Sequence, residues 1–294
     1  MFYKERIEEL LKNKSDRKIS RVILEEMNKM GLITVNEEKC IKCEQCIKEC
    51  PSFVLKMGQK GPEEVADSTC ISCGHCVAVC PVNAIDNSKT PKDKQVDAKD
   101  FSKLNGEQVE HFIRSRRSIR SYQEKSVSRE ELTKLVDIAR FAPTGSNSQG
   151  ISFLVVEDKQ LVEKATELTI RMIEKSPLKD SLKGLIRSYR EDGVDSILRG
   201  APNLIITTAD KDFSGGRGNS ISCLTYLELF APSIGIGTCW AGFFEYCAGI
   251  KGSPLPKLFN IPEGKIITAA VMVGYPKYNY KKLVDRNPLE VTYL

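Results

Sequence analysis

The chain has 294 residues and a formal charge of +5, with 44 Lys and Arg against 39 Asp and Glu. That length exceeds what one small module needs, so at least two domains are expected. No basic cluster interleaved with aromatics is present, and nothing in the composition points to nucleic acid.

In residues 1–35, Ile7, Leu10 and Leu11 form one apolar stripe, and Val22, Ile23, Met27 and Met30 form another. Two helical pieces stopping near Gly31 are expected, capping the domain that follows in preference to a docking arm. Nothing in Met1 to Leu24 has the uninterrupted apolar core of a signal peptide. Residues 36–90 then carry eight cysteines in two copies of one spacing. The first is Cys40, Cys43, Cys46 and Cys50 with Pro51; the second is Cys70, Cys73, Cys76 and Cys80 with Pro81.

This C-x2-C-x2-C-x3-C-P spacing is that of bacterial ferredoxins with two [4Fe–4S] clusters. Three close thiolates wrap three corners of a cube, and the fourth corner comes from elsewhere. In the two-cluster arrangement the last cysteine of each run crosses over. The expected ligand sets are therefore Cys40, Cys43, Cys46 and Cys80 for one cluster, and Cys70, Cys73, Cys76 and Cys50 for the other. Zinc sites use separated C-x2-C pairs, and a disulfide framework needs a secreted context, so both are disfavoured. The clusters imply a reducing cytoplasm, and their charge brings the loaded protein to about +1. So small a module folds mainly on the free energy of metal binding.

Residues 91–105 are rich in Lys, Asp, Ser and Pro and read as a linker. Asn105 is placed to cap a helix from Gly106 to about Arg116. Arg116, Ser118 and Arg120 follow at alternate positions, so an extended chain sets them on one side, where two cations and a hydroxyl suit an anionic oxygen. Arg129 to Phe141 is an amphipathic helix. The turn Ala142-Pro143-Thr144-Gly145-Ser146-Asn147-Ser148-Gln149 is either a self-bonded loop or a polar wall for a planar heterocycle.

Phe153 to Val156 reads as a strand. Leu161 to Tyr189 is helical and broken at Pro177. Leu204 to Thr207 is a buried strand, and Ile221 to Phe230 an apolar helix. The mostly apolar stretch Leu224 to Ile250 is interrupted by Glu228, Glu245, Pro232 and several glycines, which favours a buried helix with a glycine-rich loop over a membrane span. That loop, Gly235-Ile236-Gly237-Thr238-Cys239-Trp240-Ala241-Gly242, lets backbone N–H groups approach a ligand. The single tryptophan, Trp240, serves either the core or that site. A final strand, Ile266 to Val273, ends at Gly274-Tyr275-Pro276.

From Gly106 to Leu294 these elements resemble the nitroreductase superfamily of flavin enzymes, in the family's order. The fused arrangement resembles ferredoxin–nitroreductase proteins found mainly in anaerobes. The resemblance implies an α+β fold, a small ferredoxin-like domain followed by a mostly antiparallel sheet flanked by helices. It also implies FMN at the interface of an intertwined homodimer. Arg116 and Ser118, flanking Arg117, match positions that hold the flavin phosphate, and Arg120 matches one beside the pyrimidine carbonyl. Thr144, Ser146 and Asn147 match the polar wall. Ala241 and Gly242, after Trp240, match the loop whose N–H points at flavin N5. Lys282 in the tail matches a phosphate-contacting cation. Many members continue the polar turn with Pro-Trp, whereas Gly150-Ile151 stand here, so the substrate class does not carry over.

Joining clusters to FMN implies a relay from an external donor, such as ferredoxin, through both clusters to the flavin. The acceptor would be a nitroaromatic, a quinone or an activated alkene. The alternatives are NAD(P)H as the donor with the clusters carrying electrons out, and a non-catalytic electron carrier or redox sensor. No catalytic acid is evident: His75 lies among cluster cysteines, His111 lies in the helix after Asn105, and Cys223, Cys239 and Cys247 read as buried thiols, Cys239 being the one nearest the flavin loop.

Overall fold

The computed structural model describes residues 31–294. The two expected N-terminal helices lie almost wholly outside these residues. The described part of that segment is not helical: β1 (Ile33–Val35) pairs antiparallel with β4 (Ile85–Asn87), Ile33 opposite Asn87 and Val35 opposite Ile85. The β-branched residues of β1 thus close the cluster module rather than precede it.

The chain divides into two compact units between Ser102 and Lys103. In the first, β2 (Leu55–Met57) pairs with β3 (Pro62–Glu64). Two short helices, α1 (Gln45–Lys48) and α2 (His75–Ala78), each carry the third cysteine of a run. The core is small: Val54, Leu55, Val77 and Ile85 close around buried Cys46, Cys50 and Cys76. The two halves repeat with the same offset as their cysteines, down to the backbone. Lys42 and Ser72 have φ of 52° and 56°, Glu44 and Gly74 62° and 75°, and Phe53 and Asn83 52° and 51°.

The segment read as a linker begins on this unit. Gln95 Nε2 donates to Thr90 O at 3.0 Å, and Lys92 N donates to Asp86 Oδ1 at 2.9 Å.

The second unit is a four-stranded antiparallel sheet with helices on both faces. Its strands are β5 (Ser152–Val156), β6 (Asn203–Asp210), β7 (Gly237–Trp240) and β8 (Lys265–Gly274), in the order β5-β6-β8-β7. The helices are α3 (Gly106–Ser115), α4 (Arg129–Ala139), α5 (Lys159–Glu174), α6 (Lys183–Asp192), α7 (Gly216–Phe230), α8 (Gly242–Ala248) and α9 (Leu255–Leu258). Asn105 and Ser128 cap α3 and α4, each in a reciprocal box with Gln108 and Glu131.

Strand periodicity sorts the core. Leu204 and Ile206 on β6, with Ala270 and Met272 on β8, face Ile170 and Ile173 of α5 and Phe244 of α8. Their neighbours Ile205, Val271 and Val273 face Leu132 and Leu135 of α4 and Leu224 and Leu227 of α7. Successive residues point to opposite faces, so strands apolar at every position need helices on both sides. Each fully buried leucine contributes roughly 1.5–3 kcal/mol. Among the described residues no helix is long and apolar enough to cross a membrane.

Part of the glycine-rich segment expected as a loop is strand β7, with Gly237 opposite Gly274 and Trp240 opposite Val271. Thr238-Cys239-Trp240 has the β-branched and aromatic content of a strand, which the flanking glycines mask. Helix α7 also begins at Gly216, five residues before the apolar run. Its first turns are polar and held by hydrogen bonds to other elements.

Candidate functional site

The eight cysteines of the first unit line two cavities of equal size. One is bounded by Cys40, Cys43, Cys46 and Cys80 with Met57 and Ile85. The other is bounded by Cys50, Cys70, Cys73 and Cys76 with Leu55 and Asn87. Each takes three cysteines from one run and the last cysteine from the other. The last cysteine of each run follows a short helix, and from it the chain continues along the opposite cavity. Among the described residues no group of three His, Cys, Asp or Glu closes to the spacing of a single metal ion. Four thiols around such a cavity suit an inorganic cluster rather than a lone ion.

Burial pushes the Cys46 thiol up to about 11, with like charge from Cys80 adding to it. Burial likewise raises Cys76, against the Asn87 amide. Thiols of this kind stay protonated until a metal displaces the proton. Cys43 is exposed, so the first cavity has an edge at the surface. His75 is exposed and borders the second.

The second unit assembles the other candidate residues along β7. After α3 the chain runs extended beside this strand: Ser118 bridges Thr238, and Ile119 N–H donates to Thr238 O at 2.8 Å. Gly237 makes this approach possible, since a Cβ there would meet Ile119 Cγ1 at 2.5 Å. Arg116, Ser118 and Arg120 consequently stand over Thr238 and Cys239. Arg116 Nη1 lies 3.8 Å from the Glu228 carboxylate, which also accepts from Thr238 Oγ1 at 3.1 Å. Burial raises the Glu228 carboxyl, with Arg116 and the Thr238 hydroxyl opposing. Arg117 Nε is buried without a hydrogen-bond partner among the described residues. An orphaned guanidinium donor beside Arg116 and Ser118 is the chemistry an anionic phosphate completes. The Arg117 guanidinium lies 5.7 Å from the Tyr280 ring, which brings the tail to this segment; Lys282 follows two residues later and is exposed.

The polar turn is strained and externally held. Ser146, Asn147 and Gln149 have φ of 49°, 50° and 50°. Thr144 Oγ1 accepts from Gln149 N–H at 3.0 Å, the self-bonding a loop of this composition favours. From outside, the buried Asn219 of α7 donates to Ser148 Oγ at 3.1 Å and Gln149 O at 2.9 Å.

At the far end of β7, Trp240 Nε1 donates to Glu245 Oε2 at 2.8 Å. The same carboxylate is paired with Arg217, which also reaches Thr268 O at 3.2 Å. Ala241 N–H is committed to Ala270 O at 2.9 Å. Of the two amides expected to face a flavin, only Gly242 stands at the first turn of a helix, which supplies it no acceptor. Trp240 thus both packs on the core beside α4 and α7 and braces the loop.

Arg217, Asn219, Glu228 and Glu245 escape a motif search. The signal was present for the two glutamates: each is a lone carboxylate inside a long apolar run. Burial also raises the remaining thiols, Cys223 and Cys239, and takes Cys247 to about 11.

Comparison with known proteins settles the family. Residues 113–275 match the model for the nitroreductase family, and residues 32–97 match that for a 4Fe-4S dicluster domain. The chain belongs to the nitroreductase family. It is an oxidoreductase that joins a nitroreductase domain to an iron–sulfur module. It is 33% identical over 214 residues to a 4-nitrobenzoate reductase of Pseudomonas putida, covering 61% of this chain and 90% of that protein. It is 24% identical over 175 residues to an FMN reductase [NAD(P)H] of Bacillus subtilis, covering 54% of this chain and 62% of that one. A nitroreductase with bound FMN from Desulfitobacterium hafniense has the same fold, with a TM-score of 0.54 and 22% identity over 65% of this chain and all of its own.

Proposed function

We propose that the nitroreductase domain binds FMN and the cysteine cavities each bind a [4Fe–4S] cluster, so that electrons from an external donor reach a small organic acceptor through both. When bound, FMN collects two electrons where each cluster carries one, so one-electron donors can drive a two-electron reduction. The observation that carries the reading is the pair of four-cysteine cavities in one chain with a nitroreductase domain. One chain keeps donor and acceptor groups at high effective concentration.

The site residues divide the work. Arg116, Arg117 and Ser118 hold the flavin phosphate, joined by Lys282 of the tail. Glu228 keeps Arg116 pointed along β7. Arg120 places a cation where the reduced flavin gathers negative charge. Thr144, Ser146 and Asn147 form the polar wall, which Asn219 keeps in its strained shape. Glu245 and Arg217 hold Trp240, Ala241 and Gly242 at the other edge. Acceptors are nitroaromatics, quinones or activated alkenes, and the donor is a ferredoxin-type carrier in a reducing cytoplasm.

A second copy of the chain completes the site. Helix α3 buries none of its residues, although Val109, Phe112 and Ile113 share one face, and the tail exposes Tyr278, Tyr280, Leu289 and Tyr293. Apolar groups in that number on one unit point to a partner surface.

NAD(P)H as donor is the second reading, favoured by the nicotinamide named in the Bacillus relative. The deciding measurement is iron, sulfide and flavin per chain after anaerobic purification, followed by reduction with ferredoxin or NADH. About eight irons with one FMN, bleached by ferredoxin, is the expected result. Clusters without flavin would leave only an electron carrier.

A further inference from the structure

The two cavities are built by a repeat, and one of the positions at which their linings differ sets an amide against the sulfurs. Cys40, Cys43 and Cys46 correspond to Cys70, Cys73 and Cys76, and Leu55 to Ile85; by the same offset Met57 corresponds to Asn87. Both residues line their cavities.

Asn87 is 2% exposed. Its Nδ2 lies 3.8 Å from Cys70 Sγ and 3.7 Å from Cys76 Sγ. The amide is oriented by Lys89 N–H, which donates to Asn87 Oδ1 at 2.9 Å. A backbone N–H can only donate, so it fixes the oxygen on its own side and turns the NH2 group to the sulfurs. Met57 offers the other cavity a thioether, which has no hydrogen to donate.

Other contributions are balanced or act in the same sense. Each cavity has a backbone donor to one sulfur: Ala84 N to Cys80 Sγ at 3.2 Å, and Ser72 N to Cys70 Sγ at 3.4 Å. A lysine stands near each cavity: Lys42 borders the first, whose Glu44 is paired with Lys48 at 3.2 Å, and Lys89 Nζ lies 3.4 Å from Cys70 O beside the second.

We infer that Asn87 makes the Cys50/Cys70/Cys73/Cys76 site the stronger electron acceptor of the two, so that a single electron entering the module comes to rest there. The inference rests on the reading that each cavity holds a [4Fe–4S] cluster. Added charge on a cluster spreads onto its sulfur ligands, and N–H donors to those sulfurs favour the more negative state. One electron leaves a one-electron reductant, and one site gains it. Passage between the sites moves that same electron, with no bond made or broken. The order runs from the cavity with the exposed Cys43 to the cavity with Asn87, which gives the relay a downhill first step.

The test is an EPR-monitored redox titration of the intact anaerobic protein, with iron and sulfide determined on each sample. Wild type should show two separate midpoints. Asn87→Met should lower the upper midpoint and leave the lower one in place. Met57→Asn should raise the lower midpoint alone, and the double exchange should reverse the order of the sites. An upper midpoint unmoved in Asn87→Met, or a lower midpoint unmoved in Met57→Asn, overturns the inference. If Asn87→Met loses iron, Met57→Asn decides by itself, since it alters the other cavity. Wild type with neither iron nor a cluster signal would instead remove the cluster reading, and the inference with it.

Discussion

Replacing Asn219 with alanine should loosen the proposed flavin site from behind. Asn219 makes two neutral hydrogen bonds, to Ser148 Oγ and Gln149 O. Each is worth about 1 kcal/mol net, so the substitution removes about 2 kcal/mol from the turn. Ser148 and Gln149 are exposed. Water can therefore pair with the groups left behind, and no larger penalty for buried orphans is expected. Opposing the bonds is the turn's own strain: Ser146 and Gln149 are held left-handed, at about 1 kcal/mol each, while Asn147 tolerates that conformation. The two quantities are comparable, so losing the clamp lets the turn relax. A shift of about 2 kcal/mol is roughly a 30-fold change in the ordered population, and FMN affinity should fall by up to that factor. Fluorescence titration of the deflavinated protein with FMN reads the affinity, and the iron content should stay unchanged. Thr225→Ala, an exposed site on the same helix, serves as the control. An Asn219→Ala affinity within about threefold of wild type would refute the clamp.

Three further outcomes are expected. Cys50→Ala should cut iron from about eight to about four per chain, because its cavity is the one shared with Cys70, Cys73 and Cys76; loss of the Cys40 signal instead would refute the crossing. Burial raises the Glu228 carboxyl above its ordinary 4.5, so the folded state binds that proton more tightly than the unfolded one. The stability this confers is complete below pH 4.5 and lost as pH rises through the folded value. Thermal melts from pH 4.5 to about 8 should therefore fall less steeply in Glu228→Gln than in wild type. Phe112→Glu with Ile113→Glu puts two charges on the exposed face of α3. If the proposed homodimer forms through this face, sedimentation should show dimer and FMN lost together, while iron content stays unchanged.

The cysteine spacing was legible because iron constrains it: the number of residues between thiolates is set by the cube, and little else in the chain can vary it. The helices at 106–115 and 129–139 were legible from their caps and apolar period. Strand β7 was not, because its pairing with β8 is decided by residues far away in sequence. Glu228 and Glu245 were visible as interruptions of an apolar run, yet their partners Arg116, Thr238, Trp240 and Arg217 come together only in the fold. Asn87 carries no motif, and it stands out only when set against Met57 in the other half of the repeat.

The same repeat distributes fragility unequally. Left-handed strain is shared between the cavities: Glu44 borders the Cys40 cavity where the repeat has Gly74 at the other, and Phe53, whose counterpart is Asn83, lies between residues that line the cavity of Cys70. Each mismatch is worth about 1 kcal/mol, so the difference lies in access: the Cys40 cavity exposes Cys43, whereas its counterpart Cys73 is only partly exposed. Oxygen and chelators therefore have their easiest entry at the cavity proposed to receive electrons first, and iron lost there would need the most frequent replacement over the protein's lifetime.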